Sequence, residues 1–203
     1  VEDQNYQCFL HFKELLKSTL LLTTKKIREY AIKESIKNDS NSDYTYLEFG
    51  VFSGTTITFF SKYLTKNKIY GFDSFEGLKE HWLGTTVTKG TFDLKKKIPT
   101  LPKNVVPVAG WIQDTLPPFL NEKKPKINFV HIDVDTYETT KFILDLIKPQ
   151  LVKGAIILFD ELYNFEGWDV GEYKALTEVF AKNEYKFEAF AHDGRQALIK
   201  ILN

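Results

Sequence analysis

Residues 127–135 read Ile127-Asn128-Phe129-Val130-His131-Ile132-Asp133-Val134-Asp135, and the fold follows from how that stretch is interpreted. It is mostly apolar as far as Ile132 and then turns acidic. A strand with one wet face alternates apolar and polar residues, whereas a parallel strand covered on both faces is apolar nearly throughout. The stretch therefore predicts a central parallel strand at 127–133 with acids at its carboxyl end. The pattern recurs at 44–49, 68–73, 105–109 and 155–160, with helical stretches such as 55–64 and 138–147 between. Strand and helix in alternation predict an α/β fold with a doubly wound sheet and right-handed crossovers. Two last strands, 186–191 and 197–202, flank His192-Asp193-Gly194-Arg195, and Asp-Gly is a strong tight-hairpin signal. The expectation is a seven-stranded, mostly parallel sheet with a C-terminal antiparallel hairpin and helices on both faces.

Before Asp43 the pattern is helical. Phe9, Phe12, Leu15, Leu16 and Leu20 recur at three- and four-residue spacing, and the polar run from Asn38 to Asp43 breaks it. Residues 1–42 are expected to form a helical lid or extension, and residues 43–203 the main domain. At 203 residues, 43% hydrophobic and 27% charged, the composition is that of an ordinary globular domain. The 27 basic residues equal the 27 acidic ones, so the basic excess of a nucleic-acid binder is missing. No apolar run is long enough to span a bilayer, and Leu20-Leu21-Leu22 is too short for a signal peptide. The lone Cys8 rules out an intrachain disulfide and points to a reducing, cytoplasmic setting.

In open α/β sheets ligands bind beyond the carboxyl ends of the strands. The first predicted strand runs into Glu48-Phe49-Gly50-Val51-Phe52-Ser53-Gly54-Thr55, a glycine turn where Gly50, Ser53 and Thr55 can meet a ligand. It lacks the Gly-Lys-Ser/Thr ending of a phosphate loop and the glycine spacing of a dinucleotide site. Asp73-Ser74 follows about twenty residues later, where a carboxylate either accepts from a ribose diol or caps a helix. Gly110, Trp111 and Ile112 offer walls for a flat purine ring, or simply core. His131, Asp133 and Asp135 share one strand face, and Asp160-Glu161 ends the neighbouring strand. Helix capping explains one such acid well and four poorly. Carboxylates so crowded need a cation, and oxygen-only ligands suit Mg²⁺ or Mn²⁺.

From about Leu47 to Phe180 the chain resembles the macrocin O-methyltransferase family, within the Rossmann-like class I S-adenosylmethionine-dependent methyltransferases. The resemblance is carried by Leu47 to Val51, Gly71 to Leu78, Lys89 to Phe92, Gly110-Trp111 with Asp114 to Pro117, and His131 to Tyr137. It implies S-adenosylmethionine as cofactor, with Glu48 and Gly50 at its methionine part and Asp73 on its ribose. It implies Asp133, Asp160 and Glu161 as metal ligands and Asp135 as general base. Asp160-Glu161 stands where many relatives carry Asp-Asp. His131 is the rival base, although an inward strand histidine more often orients a neighbour.

The activity so implied is metal-assisted methyl transfer to a hydroxyl, most simply of a sugar in a small-molecule glycoside or glycan. A sulfonium is already an activated donor, so such an enzyme aligns an oxygen and eases its deprotonation. His81 and Trp82, in the 77–100 insertion, and the aromatic loop 163–168 are candidate acceptor-pocket residues. A catechol-like phenol is the alternative acceptor, although Thr136 stands where catechol methyltransferases place a lysine. A protein that holds the cofactor without catalysis is the alternative of another class. No membrane span and no nucleic-acid partner are expected; a homo-oligomer through residues 1–42 is compatible with the sequence.

Overall fold

The structure, a computed structural model, describes residues 3–82 and 85–203. The parts of the 1–42 and 77–100 expectations that fall on Val1, Glu2, Leu83 and Gly84 lie outside the described residues. The central strand is β5 (Ile127–Ile132), buried at every position as its apolar run requires. On one side lie β2 (Thr45–Phe49), β3 (Ile69–Asp73) and β4 (Val105–Ala109). On the other lie β6 (Leu151–Phe159), β8 (Ala197–Ile201) and β7 (Tyr185–Ala191). With a short strand β1 (Leu20–Leu22) at one edge, the sheet order is β1-β7-β8-β6-β5-β2-β3-β4, and β8 runs antiparallel to both β6 and β7. The terminal hairpin and the parallel core are as expected for the class I methyltransferase fold.

Among the described residues the sheet has eight strands rather than seven. The extra one is β1 (Leu20–Leu22), which pairs parallel with β7 through Leu20–Ala189, Leu21–Phe190 and Leu22–Ala191. It lies inside the stretch expected to be helical. Three leucines between Thr19 and Thr23 are too few to show a strand period. The free edge of β7 supplies hydrogen-bonding groups that no local pattern announces.

Around β1 lie α1 (Gln4–Ser18) and α2 (Thr24–Asn38), each capped at its N-terminus by a side chain, Asp3 and Thr23. Helix α2 lays Ile27, Ala31 and Ile32 against the sheet, all fully buried. Each isoleucine so buried contributes about 1.5–3 kcal/mol. Helices α3 (Thr55–Ser61), α4 (Ile112–Lys123), α5 (Tyr137–Ile147) and α6 (Glu172–Val179) complete the layers. Helix α3 stops at Ser61, short of the expected residue 64, because Lys62 to Leu64 turn away toward the next strand.

Past the strand ends the ladder continues from strand to strand. Gly50 N donates to Phe72 O (3.0 Å), Gly110 N to Asp73 O (2.9 Å), Asp133 N to Phe49 O (2.9 Å) and Asp160 N to Ile132 O (2.9 Å). The predicted site residues are therefore held on one rim by main-chain bonds.

Candidate active site

The glycine turn after β2 is forced by close packing. Gly50 has φ of +88°, and a Cβ there would lie 1.7 Å from the carbonyl oxygen of Asp133. No other residue fits. The turn is tied to β3 by Asp73, whose Oδ2 accepts from Val51 N (2.8 Å) and Phe52 N (2.7 Å) and whose Oδ1 accepts from Phe75 N (2.7 Å). Asp73 thus shapes the turn as well as facing the cleft.

That cleft, of about 280 Å³, opens at the carboxyl end of the sheet. Of the residues expected at a cofactor, Gly50, Asp73, Ser74, Trp111, Ile112 and Asp133 line it. Glu48, Ser53, Thr55 and Gly110 do not, although Ser53 and Gly110 belong to its supporting turns and Thr55 opens α3 beside them. Phe52 and Phe92, each 41% exposed, meet edge to face at 5.3 Å and line the same cleft. Exposed aromatic walls with a few convergent polar groups are the usual build of a small-molecule site. Its size, aromatic walls and carboxylate fit an adenosine-bearing cofactor.

The acids fall into two groups. One oxygen each from Asp133, Asp135 and Glu161 lie within 4.8 Å of one another, and so do ligand atoms of His131, Asp133 and Asp160. The three expected metal ligands are therefore divided, with Asp133 in both groups. Asp160 is held on its far side: Oδ1 accepts from Arg28 Nη2 (3.0 Å) and from Gln196 Nε2, and meets His131 Nε2 at 3.3 Å. His131, fully buried, meets Glu48 Oε2 through its other nitrogen at 3.2 Å. Both ring nitrogens are engaged by carboxylates, which leaves neither free to take a proton from an acceptor.

Burial alone would push His131 down, but the carboxylates of Asp160 and Glu48 outweigh it and push it up to about 10. Burial would raise Asp160, yet His131 and Arg28 outweigh that and hold it below the usual range. Burial and then Asp160 push Asp133 well up. The same two causes push Asp135 up to about 7, against a downward pull from Arg195. Asp135 also sits at φ of +63°, in the left-handed region that Asp adopts more easily than most residues.

Sequence reasoning missed Arg28 and Glu172. Arg28 hides among the seven basic residues of the first 37. Glu172, at the start of α6, is 1% exposed and accepts from Glu161 N at 3.0 Å. It had a signal, because Glu172, Ala175 and Leu176 share the buried helix face, and an acid on an apolar stripe is out of place. Glu172 Oε1 and Glu161 Oε2 are buried without a hydrogen-bond partner. Orphaned carboxylate oxygens are costly, and burial together with neighbouring acids raises both residues. An all-oxygen set of this kind fits a hard divalent cation such as Mg²⁺ or Mn²⁺.

The loop aromatics fare differently from expectation. Tyr163, Phe165 and Trp168 are buried in the core and line neither cavity, because Phe12 of α1 wedges against Tyr163 (5.7 Å) and Trp168 (5.4 Å). Trp82 does line the cleft. No helix among the described residues is long and apolar enough to cross a membrane.

A family model described as a methyltransferase domain matches residues 47–162. No curated protein matches the sequence. Among solved structures the chain is similar to the calicheamicin methyltransferase CalS11, at 22% identity over 98% of this chain and 94% of that one, with TM-score 0.70. An apo form of that protein, described as a TDP-rhamnose 3'-O-methyltransferase, matches at 22% identity over 98% and 96%, with TM-score 0.62. The O-methyltransferase NovP matches at 18% identity over 88% and 79%, with TM-score 0.64. At these identities the likeness is one of fold.

Proposed function

This chain belongs to the methyltransferase-domain family, and from that premise we propose that it methylates a sugar hydroxyl, drawing the methyl group from S-adenosylmethionine with the help of a divalent cation. One observation carries the proposal: Asp133, Asp135 and Glu161 converge on the cleft that Gly50, Asp73 and Trp111 also line. Cofactor side and acid side thus share one chamber. The sugar acceptor is supported by the macrocin-type motifs and by the printed activity of the TDP-rhamnose enzyme of similar fold.

In this reading Asp73 accepts from the ribose hydroxyls, which its spare lone pairs allow while it holds the glycine turn. Phe52, Phe92, Trp111 and Ile112 enclose the adenine, and Gly50 lets main chain approach the methionine end. Glu48 acts from behind the wall, through His131. Asp133 and Glu161 would hold the cation in the cleft, with Asp160 beside them on the His131 side and Glu172 bracing the Glu161 main chain. A bound cation supplies positive charge that lowers the pKa of an acceptor hydroxyl. Asp135 takes that proton, standing in the cleft on the same loop as Asp133. Residues 1–42 would serve as a cap, since α1 seals the aromatic loop after β6. A cytoplasmic setting fits the single, buried Cys8.

The test is calorimetry with S-adenosylmethionine and its demethylated product, followed by labelled methyl transfer to glycosides, free sugars and catechols. Absence of binding to either cofactor form would sink the enzyme reading. Undiminished transfer in excess chelator would remove the cation alone, and transfer to catechols only would replace the sugar.

A further inference from the structure

The cleft meets a second chamber of about 300 Å³, and the two share Trp82, Asp135 and Thr136. Asp135 therefore stands at their junction, and an acceptor hydroxyl that reaches it passes Trp82. Of the three shared residues only Trp82 comes from the 77–100 insertion. It is 8% exposed, although His81, Thr86 and Thr88 around it are open to solvent. An indole buried within an exposed stretch has its partners elsewhere in the chain.

The main chain of Trp82 bonds locally. Its N–H donates to Val87 O (3.2 Å), and its carbonyl accepts from Thr85 N (3.3 Å) and Thr85 Oγ1 (3.0 Å). The ring is what reaches the body of the protein. It meets Phe165 edge to face at 6.3 Å, and the Arg195 guanidinium lies 5.8 Å from its centre and 5.0 Å from that of Phe165. Both separations are within cation–π range. Three segments far apart in sequence thus close on one guanidinium. The main chain that carries Arg195 is itself fixed. Arg195 O accepts from Leu162 N (3.0 Å) and Tyr163 N (3.3 Å), and Gly194 O accepts from Asn164 Nδ2 (3.0 Å). Asp193 Oδ1 accepts from Thr24 N (2.6 Å) and Thr24 Oγ1 (2.9 Å), which ties the same turn to α2. Arg195 and Phe165 line neither of the two cavities, so they stand behind Trp82 rather than beside it.

Resting on the methyl-transfer reading above, we propose that Arg195 is a positioning residue for the acceptor, holding Trp82 as the wall against which the acceptor lies while its hydroxyl meets Asp135. Such a wall binds ground state and transition state alike, so loosening it is read in KM rather than in kcat. A variant that merely folds less well loses kcat per chain and leaves KM alone. The experiment measures labelled methyl transfer from the full chain to methyl rhamnoside and to catechol, with calorimetry of S-adenosylmethionine binding. Arg195→Ala is expected to raise the acceptor KM about fivefold, the size of an ordinary cation–π contact, with kcat and cofactor affinity held. Arg195→Lys keeps a charge over the rings and is expected to recover most of that loss, whereas Arg195→Gln recovers none. Because Arg195 acts through Trp82, the two effects do not add: in a Trp82→Leu background Arg195→Ala is expected to change KM by less than about twofold. A full effect in that background, an unchanged KM in Arg195→Ala, or a matching loss of cofactor affinity overturns the inference and leaves the methyl-transfer reading standing. The expected pattern seen with catechol alone would keep Arg195 in its role and replace the sugar. Cofactor binding without transfer to either acceptor overturns both.

Discussion

The two ends of β5 make opposite use of buried polar groups. At its amino end Asn128 is fully buried, and every group around it is answered. Its Nδ2 donates to Ser35 O (2.7 Å), and its Oδ1 accepts from Asn38 Nδ2 (2.8 Å), which ties α2 to the sheet. Tyr46 and Asp39 extend the network through a 3.1 Å bond. At the carboxyl end, Glu48, Glu161 and Glu172 each keep a buried oxygen without a partner. Asp133 there lies among like charges. A satisfied network makes a fold specific, and an unsatisfied one stores free energy that a bound group can release. One strand thus separates stability from chemistry along its length.

The sharpest way to break that contrast is Asp133→Ala. Transfer is expected to fall by about 10³-fold, since a cation's charge stabilisation is worth several kcal/mol. The melting temperature is expected to hold or rise, because a buried like charge is removed. A labelled-methyl transfer assay and a thermal scan check the two halves separately, and a large loss of stability would erase the distinction between the ends.

Asn128→Leu probes the opposite end. It orphans the Ser35 carbonyl and one Asn38 donor bond, so urea denaturation should show a loss of about 2 kcal/mol, with kcat per folded molecule preserved. A fall in kcat without a fall in stability would mean that the ends are coupled.

Glu172→Gln is subtler. The amide still accepts from Glu161 N but removes one charge from the acid group. Cation affinity, read from activity against Mg²⁺ concentration and from direct binding calorimetry, is expected to weaken about tenfold, as for other groups that brace a ligand. An unchanged affinity would confine Glu172 to packing.

The contrast also explains what was legible in the sequence. Strands β2, β5 and β6 announced themselves because burial on both faces writes continuous apolar runs, and Asp193-Gly194 marked the hairpin. β1 did not, since its formation depends on the edge of β7, more than 160 residues away. The cleft residues Gly50, Asp73 and Trp111 fall at strand ends, where order in the chain predicts position in space. Arg28 does not: it reaches Asp160 from a helix laid across the sheet, and only the packing of Ile27, Ala31 and Ile32 brings it there. The loop 163–168 shows the converse. Its aromatics look like pocket walls in sequence and become core once Phe12 covers them.

The contact between Gly50 and the Asp133 carbonyl has a consequence for anyone redesigning this molecule. Because a single added methyl group would drive two main chains apart, the cofactor half and the acid half form one indivisible cassette. The insertion carrying Glu80 to Trp82 joins that cassette at its rim and, among the described residues, contributes no strand to the sheet. New acceptors are therefore better sought by transplanting that insertion than by altering the glycine turn, where any improvement in one half is transmitted as damage to the other.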